Sequence, residues 1–441
     1  MRKINVLQAA NGLGLGGIEK VLQVYTEHLS KEIFNVTVCG LFNGGARETI
    51  LRDKGFDVFV LNGNRNNLIH LMQSKEIDVI HIHQHGDLNK FAVRAAREAK
   101  VPVVVETNAF GRIGETGAND LPDMNFLSSK MCAMRYKLWK KWSWNEFFKK
   151  SAVLYSPVVL SDFVEIDNLS KKELRKEYHI PDDFFVIGRH GMPDPSKWGD
   201  MCLDMMPYLL KMIPNVKYLA LGLPEQKINK IRAMGVDASF IFLDPTTDKK
   251  INEFLWLLDV FPYSSVNGEN FGLAIAEAMT CKKPPVVNSS PCKDNAQVEL
   301  IDHGKNGFIA NNPKAFAEAI AVLLKNEKKR IEMGEAARRK VEDNYDIKRN
   351  TLRLEKYYLD LLSAKGVEID PGIREGYEEI KTYPSQEEIV NFESEYKKRI
   401  RNCYGRKNYL QIYFWELILR DYKKYSKLKF IKELYKRKIR G

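Results

Sequence analysis

The sequence predicts an α/β protein built from two doubly wound, parallel-sheet domains followed by a helical C-terminal extension. Three observations carry that expectation. Short β-branched runs alternate with helical patterns from residue 4 to about 158, a second alternation starts near Phe185, and the chain past Ala315 reads as mostly helical. A length of 441 residues suits two or three domains, and 44% hydrophobic with 29% charged residues excludes a wholly disordered, collagen-like or disulfide-scaffold chain.

In order, Ile4–Ala10, 35–41, 58–61, 78–83, 102–107 and 153–156 read as strands, with helical spacing over 18–29, 67–75 and 88–98. Strands recur at 186–189, 217–222, Phe240–Leu243, 260–263 and 285–288, and helices at 315–325, 328–345 and 352–362. The expected division is a first domain over 1–158, a charged linker over 159–184 and a second domain over 185–345. A helix at 346–362 then crosses back to the first domain, and 363–441 forms a basic helical extension. The two domains are expected to face each other across a cleft.

Lys plus Arg number 69 against 57 Asp plus Glu, a formal charge of +12. Residues 396–441 hold 16 basic and 3 acidic residues, a net of +13, which leaves the remainder at −1. Within that tail Leu410, Phe414, Leu417, Tyr425, Leu428 and Ile431 recur at helical spacing among lysines. Such a helix suits an anionic membrane surface or docking on the parent protein, and nucleic acid less well. The segment Lys130 to Lys150, read as one basic aromatic helix, has the same two uses, with an anionic acceptor as a further partner. The six cysteines lack metal or redox spacing, the apolar run Ile4–Ala10 is too short for a signal peptide, and no run reaches a membrane span. The expected location is the cytoplasm, peripheral on the membrane if the tail binds one.

The first strand runs into Asn11-Gly12-Leu13-Gly14-Leu15-Gly16-Gly17-Ile18-Glu19. Glycines there let backbone N–H groups approach a phosphate or sugar at a helix start. Gly12, Gly14 and Gly17 also match the dinucleotide spacing, but 35–46 offers no acid for the ribose. A nicotinamide-dependent oxidoreductase or nucleotide-sugar epimerase is therefore the alternative enzyme reading. After the strand at 260–263, Glu269 falls in the loop at the strand's carboxyl end, where open α/β sheets bind ligands. Glu277 lies two helical turns on, and its carboxylate can accept from a vicinal diol such as ribose. Arg189 and Lys197 supply cations suited to a departing diphosphate. No Asp-x-Asp pair occurs, and His81, His83 and His85 alternate without carboxylates at matching spacing, so no metal is expected.

On Gly16-Gly17-Ile18-Glu19, Asp78-Val79-Ile80-His81-Ile82-His83, Arg189 with Lys197, and Glu269-Asn270-Phe271-Gly272 through Glu277-Ala278-Met279, the chain resembles the retaining, GT-B-fold glycosyltransferases of family 4, group 1. The resemblance runs from residue 4 to about 345. It implies a hexosyltransferase that uses a UDP- or GDP-sugar as substrate, needs no other cofactor, and serves a glycan or lipid-linked glycan acceptor. It assigns the donor-sugar hydroxyls to Glu269, the nucleotide ribose to Glu277 and the leaving diphosphate to Arg189 and Lys197. Gly16, Gly17, Asn270, Phe271, Gly272 and Leu273 are expected to bind the donor, with Glu19, His83 and His85 on the acceptor side. Asn108 stands where many members carry a histidine near the reaction centre, and an amide cannot shuttle a proton near neutral pH. That departure keeps a non-enzymatic alternative open: a catalytically silent GT-B protein anchored by its basic tail.

Overall fold

The computed structural model describes residues 2–86, 89–112, 122–244, 248–290 and 294–404. The described residues divide into two compact units, residues 2–154 with 351–404, and residues 155–350.

The first unit is a sheet of seven parallel strands in the order β3-β2-β1-β4-β5-β6-β7. These are β1 (Ile4–Ala10), β2 (Phe34–Gly40), β3 (Asp57–Val60), β4 (Val79–Gln84), β5 (Val103–Asn108), β6 (Met124–Leu127) and β7 (Ser151–Val153). Helices cover a parallel sheet on both faces, so β4 and β5 are buried throughout, apolar at their starts and carrying buried polar residues toward their carboxyl ends. Leu7, Ala9, Ile80, Ile82 and Val104 form a core with Leu68, Leu71, Ala92 and Ala96 from the helices Arg65–Ser74 and Lys90–Glu98. Chain order reverses between β1 and β4, which opens a crevice at their carboxyl ends.

From Thr351 the chain builds on this unit. In the helix Ile347–Ala364, Tyr358 Oη lies 2.6 Å from His81 Nδ1, and Glu355 Oε1 accepts from the Ser30 N–H at 2.6 Å. In the helix Gln386–Tyr404, Glu393 accepts from Lys137 at 2.7 Å and from Trp144 Nε1 at 3.1 Å. The segment expected as one basic helix is two, Lys130–Lys140 and Trp144–Lys150. Lys141 at φ 58° stops the first, and a reciprocal Ser143–Glu146 capping box starts the second. Tyr136 and Phe147 are buried, and Trp144 stacks on Phe148 at 5.7 Å, so much of this aromatic surface is packed inside the unit. The strongly basic part of the tail, 405–441, lies outside the described residues.

The second unit has two three-stranded parallel runs, β10-β9-β8 and β11-β12-β13, joined by a bridge between Ile187 and Val260. The strands are β8 (Phe185–His190), β9 (Val216–Leu221), β10 (Phe240–Leu243), β11 (Phe261–Tyr263), β12 (Pro285–Val287) and β13 (Phe308–Ile309). The composite order reverses between β8 and β11, a second switch point. Ile187, Tyr218, Ala220, Val260 and Val286 pack with Phe316 and Ile320 from the helix Pro313–Lys325. Residues 159–184, expected as a linker, are part of this unit and carry the helix Asn168–Glu177, capped by Asp167. None of that helix is buried, which is why its sequence lacks an apolar stripe. Among the described residues no helix is long and apolar enough to cross a membrane.

Candidate active site

The second unit's switch point gathers most of the expected donor-side residues. β8 ends in Arg189-His190, and the following loop folds on itself: Ser196 N–H donates to Asp194 Oδ1 at 2.8 Å, and Lys197 N–H to the Asp194 carbonyl at 2.9 Å. The Trp198 indole N–H donates to the Met192 carbonyl at 3.1 Å, fixing a fully buried Trp198. Arg189 is itself fully buried. Its guanidinium lies 4.1 Å from the Trp198 ring centre and 4.0 Å from that of Tyr263, and it donates to the Ser264 and Lys197 carbonyls at 2.5 and 3.1 Å. Arg189 thus clamps the 191–199 loop to the end of β11.

β11 ends at Tyr263, and the loop behind it carries Glu269. Gly268 has φ 69°, and a Cβ there would overlap the Asp294 carbonyl, so the loop needs glycine at this point. Glu269 N–H donates to Gln297 Oε1 at 3.0 Å, and the Ala296 N–H donates to the Glu269 carbonyl at 2.8 Å. The Glu269 carboxylate is buried, accepts from the Tyr263 hydroxyl at 2.6 Å and lies 3.4 Å from Lys197 Nζ. Burial, followed by the neighbouring Glu269 charge, raises the Tyr263 phenol well above its ordinary value, so Tyr263 stays a donor. The helix Leu273–Thr280 then starts from Gly272 at φ 105°, with no side-chain cap on its first N–H groups. Phe271 packs between Tyr155 at 6.0 Å and Tyr345 at 5.2 Å, so it anchors the helix start through its side chain. Glu277 is buried on this helix, its Oε2 3.4 Å from His190 Nε2.

Sequence reasoning missed both Tyr263 and His190. Their only signal was position, since each is the last residue of a strand meeting the switch point.

Gly16, Gly17, Glu19, His83, His85 and Asn108 stand in the first unit. The loop after β1 is pinned to the loop after β2, with Leu13 N–H donating to the Gly44 carbonyl at 3.2 Å and Arg47 N–H to the Leu13 carbonyl at 2.9 Å. Gly16 caps the helix Gly17–His28 through its backbone, and the Glu19 side chain curls back over it. His81 is buried between Tyr358 Oη and Thr107 Oγ1, at 2.6 and 2.7 Å, and both of its ring nitrogens are engaged there. His83, expected at the acceptor side, is also buried, stacked on His81 at 4.1 Å and bonded to Gln8 Oε1 at 2.7 Å. Burial lowers the His83 imidazole to about 3. His85 is exposed and stacks on Phe110 at 6.1 Å. Asn108 is buried, its amide donating to the Arg112 carbonyl at 2.8 Å, so it fastens the loop after β5. Among the described residues no group of three or more His, Cys, Asp or Glu side chains could hold a metal ion.

Comparison with known proteins bears on this geometry. Residues 170–340 match the family of glycosyl transferases group 1. Trehalose synthase of Thermococcus litoralis is 28% identical over 44% of this chain and 49% of its own length. Phosphatidyl-myo-inositol mannosyltransferase of Mycobacterium leprae is 25% identical over 38% of this chain and 45% of its own. The chain thus spans about half the length of the curated relatives it matches. Among solved structures, Anabaena Alr3699/HepE in complex with UDP and glucose superposes with a TM-score of 0.68 at 18% identity, over 81% of this chain and 100% of that one. Residues 170–340 thus match the glycosyl transferases group 1 model, and the two Rossmann-like sheets give the chain the GT-B fold of that solved structure.

Proposed function

We propose that this protein is a retaining hexosyltransferase that moves a sugar from a UDP- or GDP-sugar to a glycan or lipid-linked glycan. One observation carries the reading: a buried Glu269, held by Tyr263 and Lys197, at the same switch point as a buried Glu277 on a helix whose start has no side-chain cap. Glu269 takes the hydroxyls of the donor sugar and Glu277 the ribose. Lys197, 36% exposed at its side chain, takes the diphosphate together with the first N–H groups of the helix Leu273–Thr280. No metal ion is needed in this scheme, because those groups meet the negative charge that grows on the leaving diphosphate. Arg189 acts on the reaction through the loop it clamps.

Retention follows from a substitution on one face of the sugar, with the leaving phosphate accepting the acceptor's proton. No protein nucleophile is required, and the enzyme's contribution is orientation and electrostatic stabilisation. The acceptor is assigned to the first unit, at the carboxyl ends of β1 and β4, where Glu19 and the exposed His85 stand. The protein is proposed to work in the cytoplasm, with the +13 tail as its contact with an anionic membrane. That HepE was solved with UDP and glucose supports testing UDP first. In calorimetry the protein should bind UDP or GDP, and Glu277→Ala should abolish that binding. An absence of heat and of thermal stabilisation with both nucleotides and their sugars would remove the reading.

A further inference from the structure

His190 closes β8, where its ring is seated by two phenylalanines, Phe254 edge-on at 6.1 Å and 81°, and Phe261 at 5.9 Å and 54°. Both His190 and Glu277 have side chains only 8% exposed, and Nε2 of the one lies 3.4 Å from Oε2 of the other. An imidazole 3.4 Å from Oε2 limits how the carboxylate can rotate. Phe254 and Phe261 come from the helix Asp248–Leu257 and from β11, so three separate elements hold the imidazole beside that carboxylate.

We propose that His190 is the positioning residue for Glu277, fixing the carboxylate that holds the ribose of the donor nucleotide. The assignment rests on the donor reading above, and it adds a requirement on the nucleotide. Discrimination between ribose and deoxyribose should depend on residue 190.

The test measures the affinity of UDP and 2′-deoxy-UDP, and of the guanosine pair if GDP is the nucleotide bound, by calorimetry on the full chain. The wild-type protein should prefer the ribonucleotide by about tenfold or more, the size of one well-made hydrogen bond to a charged group. His190→Phe keeps the ring volume and removes the N–H, and should weaken ribonucleotide binding about tenfold while leaving the deoxynucleotide unchanged. Should that variant fold poorly, two polar variants decide. His190→Gln places a donor near the Nε2 position and should retain the preference, whereas His190→Asn is too short to reach Glu277 and should lose it. Equal weakening of both nucleotides in His190→Asn, or an unchanged preference in both His190→Phe and His190→Asn, would overturn the assignment. A wild-type protein that binds neither nucleotide would overturn the donor reading and this assignment with it. A wild-type protein that binds both sugars equally would overturn the assignment alone.

Discussion

The Tyr263 hydroxyl donates to Glu269 Oε1 at 2.6 Å, inside a site where the same tyrosine ring covers the Arg189 guanidinium at 4.0 Å. One side chain therefore ties the clamp of the 191–199 loop to the carboxylate assigned to the donor sugar. Tyr263→Phe keeps the ring over Arg189 and deletes only the hydroxyl. It should leave UDP affinity within about twofold and lower turnover about tenfold, with about 1–3 kcal/mol lost in stability from the buried carboxylate oxygen. Donor hydrolysis and urea unfolding read both quantities. Unchanged turnover would show that the orientation of Glu269 does not depend on Tyr263.

Arg189 and Lys197 should separate cleanly by experiment. Lys197 is partly exposed, so Lys197→Ala should leave the melting temperature nearly unchanged and weaken UDP more than uridine, by about tenfold. Arg189 is fully buried, with its guanidinium on two rings and two carbonyls, so Arg189→Ala should destabilise by about 3–5 kcal/mol. A stable Arg189→Ala protein that has lost only diphosphate affinity would reverse the two roles.

The Gly268 backbone decides where Glu269 sits. At φ 69° and with the Asp294 carbonyl where a Cβ would go, Gly268→Ala must move the loop. The expected loss is about 2–4 kcal/mol, from left-handed strain together with overlap against backbone. Thermal unfolding measures it, and donor turnover should fall with it because the Glu269 N–H would lose its alignment with Gln297. Wild-type turnover in this variant would disconnect the loop geometry from the chemistry.

How legible these features were in the sequence follows from what fixes each of them. Strands such as β1 and β5 declare themselves because both faces are buried, and Glu269 and Glu277 could be placed because ligands meet parallel sheets at strand ends. The four-residue β6 and the helix Ala46–Asp53 were not read, since the helix buries only Arg47 and Leu51 and offers too little apolar pattern. The break between Lys130–Lys140 and Trp144–Lys150 did leave a mark, the Ser143-x-x-Glu146 capping pair, which a reading by charge and aromatic content passes over. The partners Tyr263 and His190, and the burial of Arg189, arise only when the loops after β8 and β11 fold against one another. Their distances along the chain carry no pattern.

The first unit carries buried titratable groups whose effects on stability run in opposite directions with pH. Burial pushes the Glu106 carboxyl up to about 8 from an ordinary 4.5, with a hydrogen bond from Gln84 working the other way. A carboxyl raised in the folded state stabilises fully below its ordinary value and loses that contribution as pH climbs from about 4.5 to 8, because the unfolded chain ionises first. The slope cannot exceed about 1.4 kcal/mol per pH unit for one group. His83, lowered to about 3 by burial, behaves oppositely: its contribution is complete above 6.5 and is lost as pH falls from 6.5 toward 3. Glu106→Gln removes the first effect alone. The melting temperature of that variant relative to wild type should therefore rise steadily between pH 5 and pH 8, while His83→Gln should reduce the loss of stability below pH 6.5. An offset for Glu106→Gln that is equal at pH 5 and pH 8 would mean that the carboxyl ionises as readily in the fold as in water.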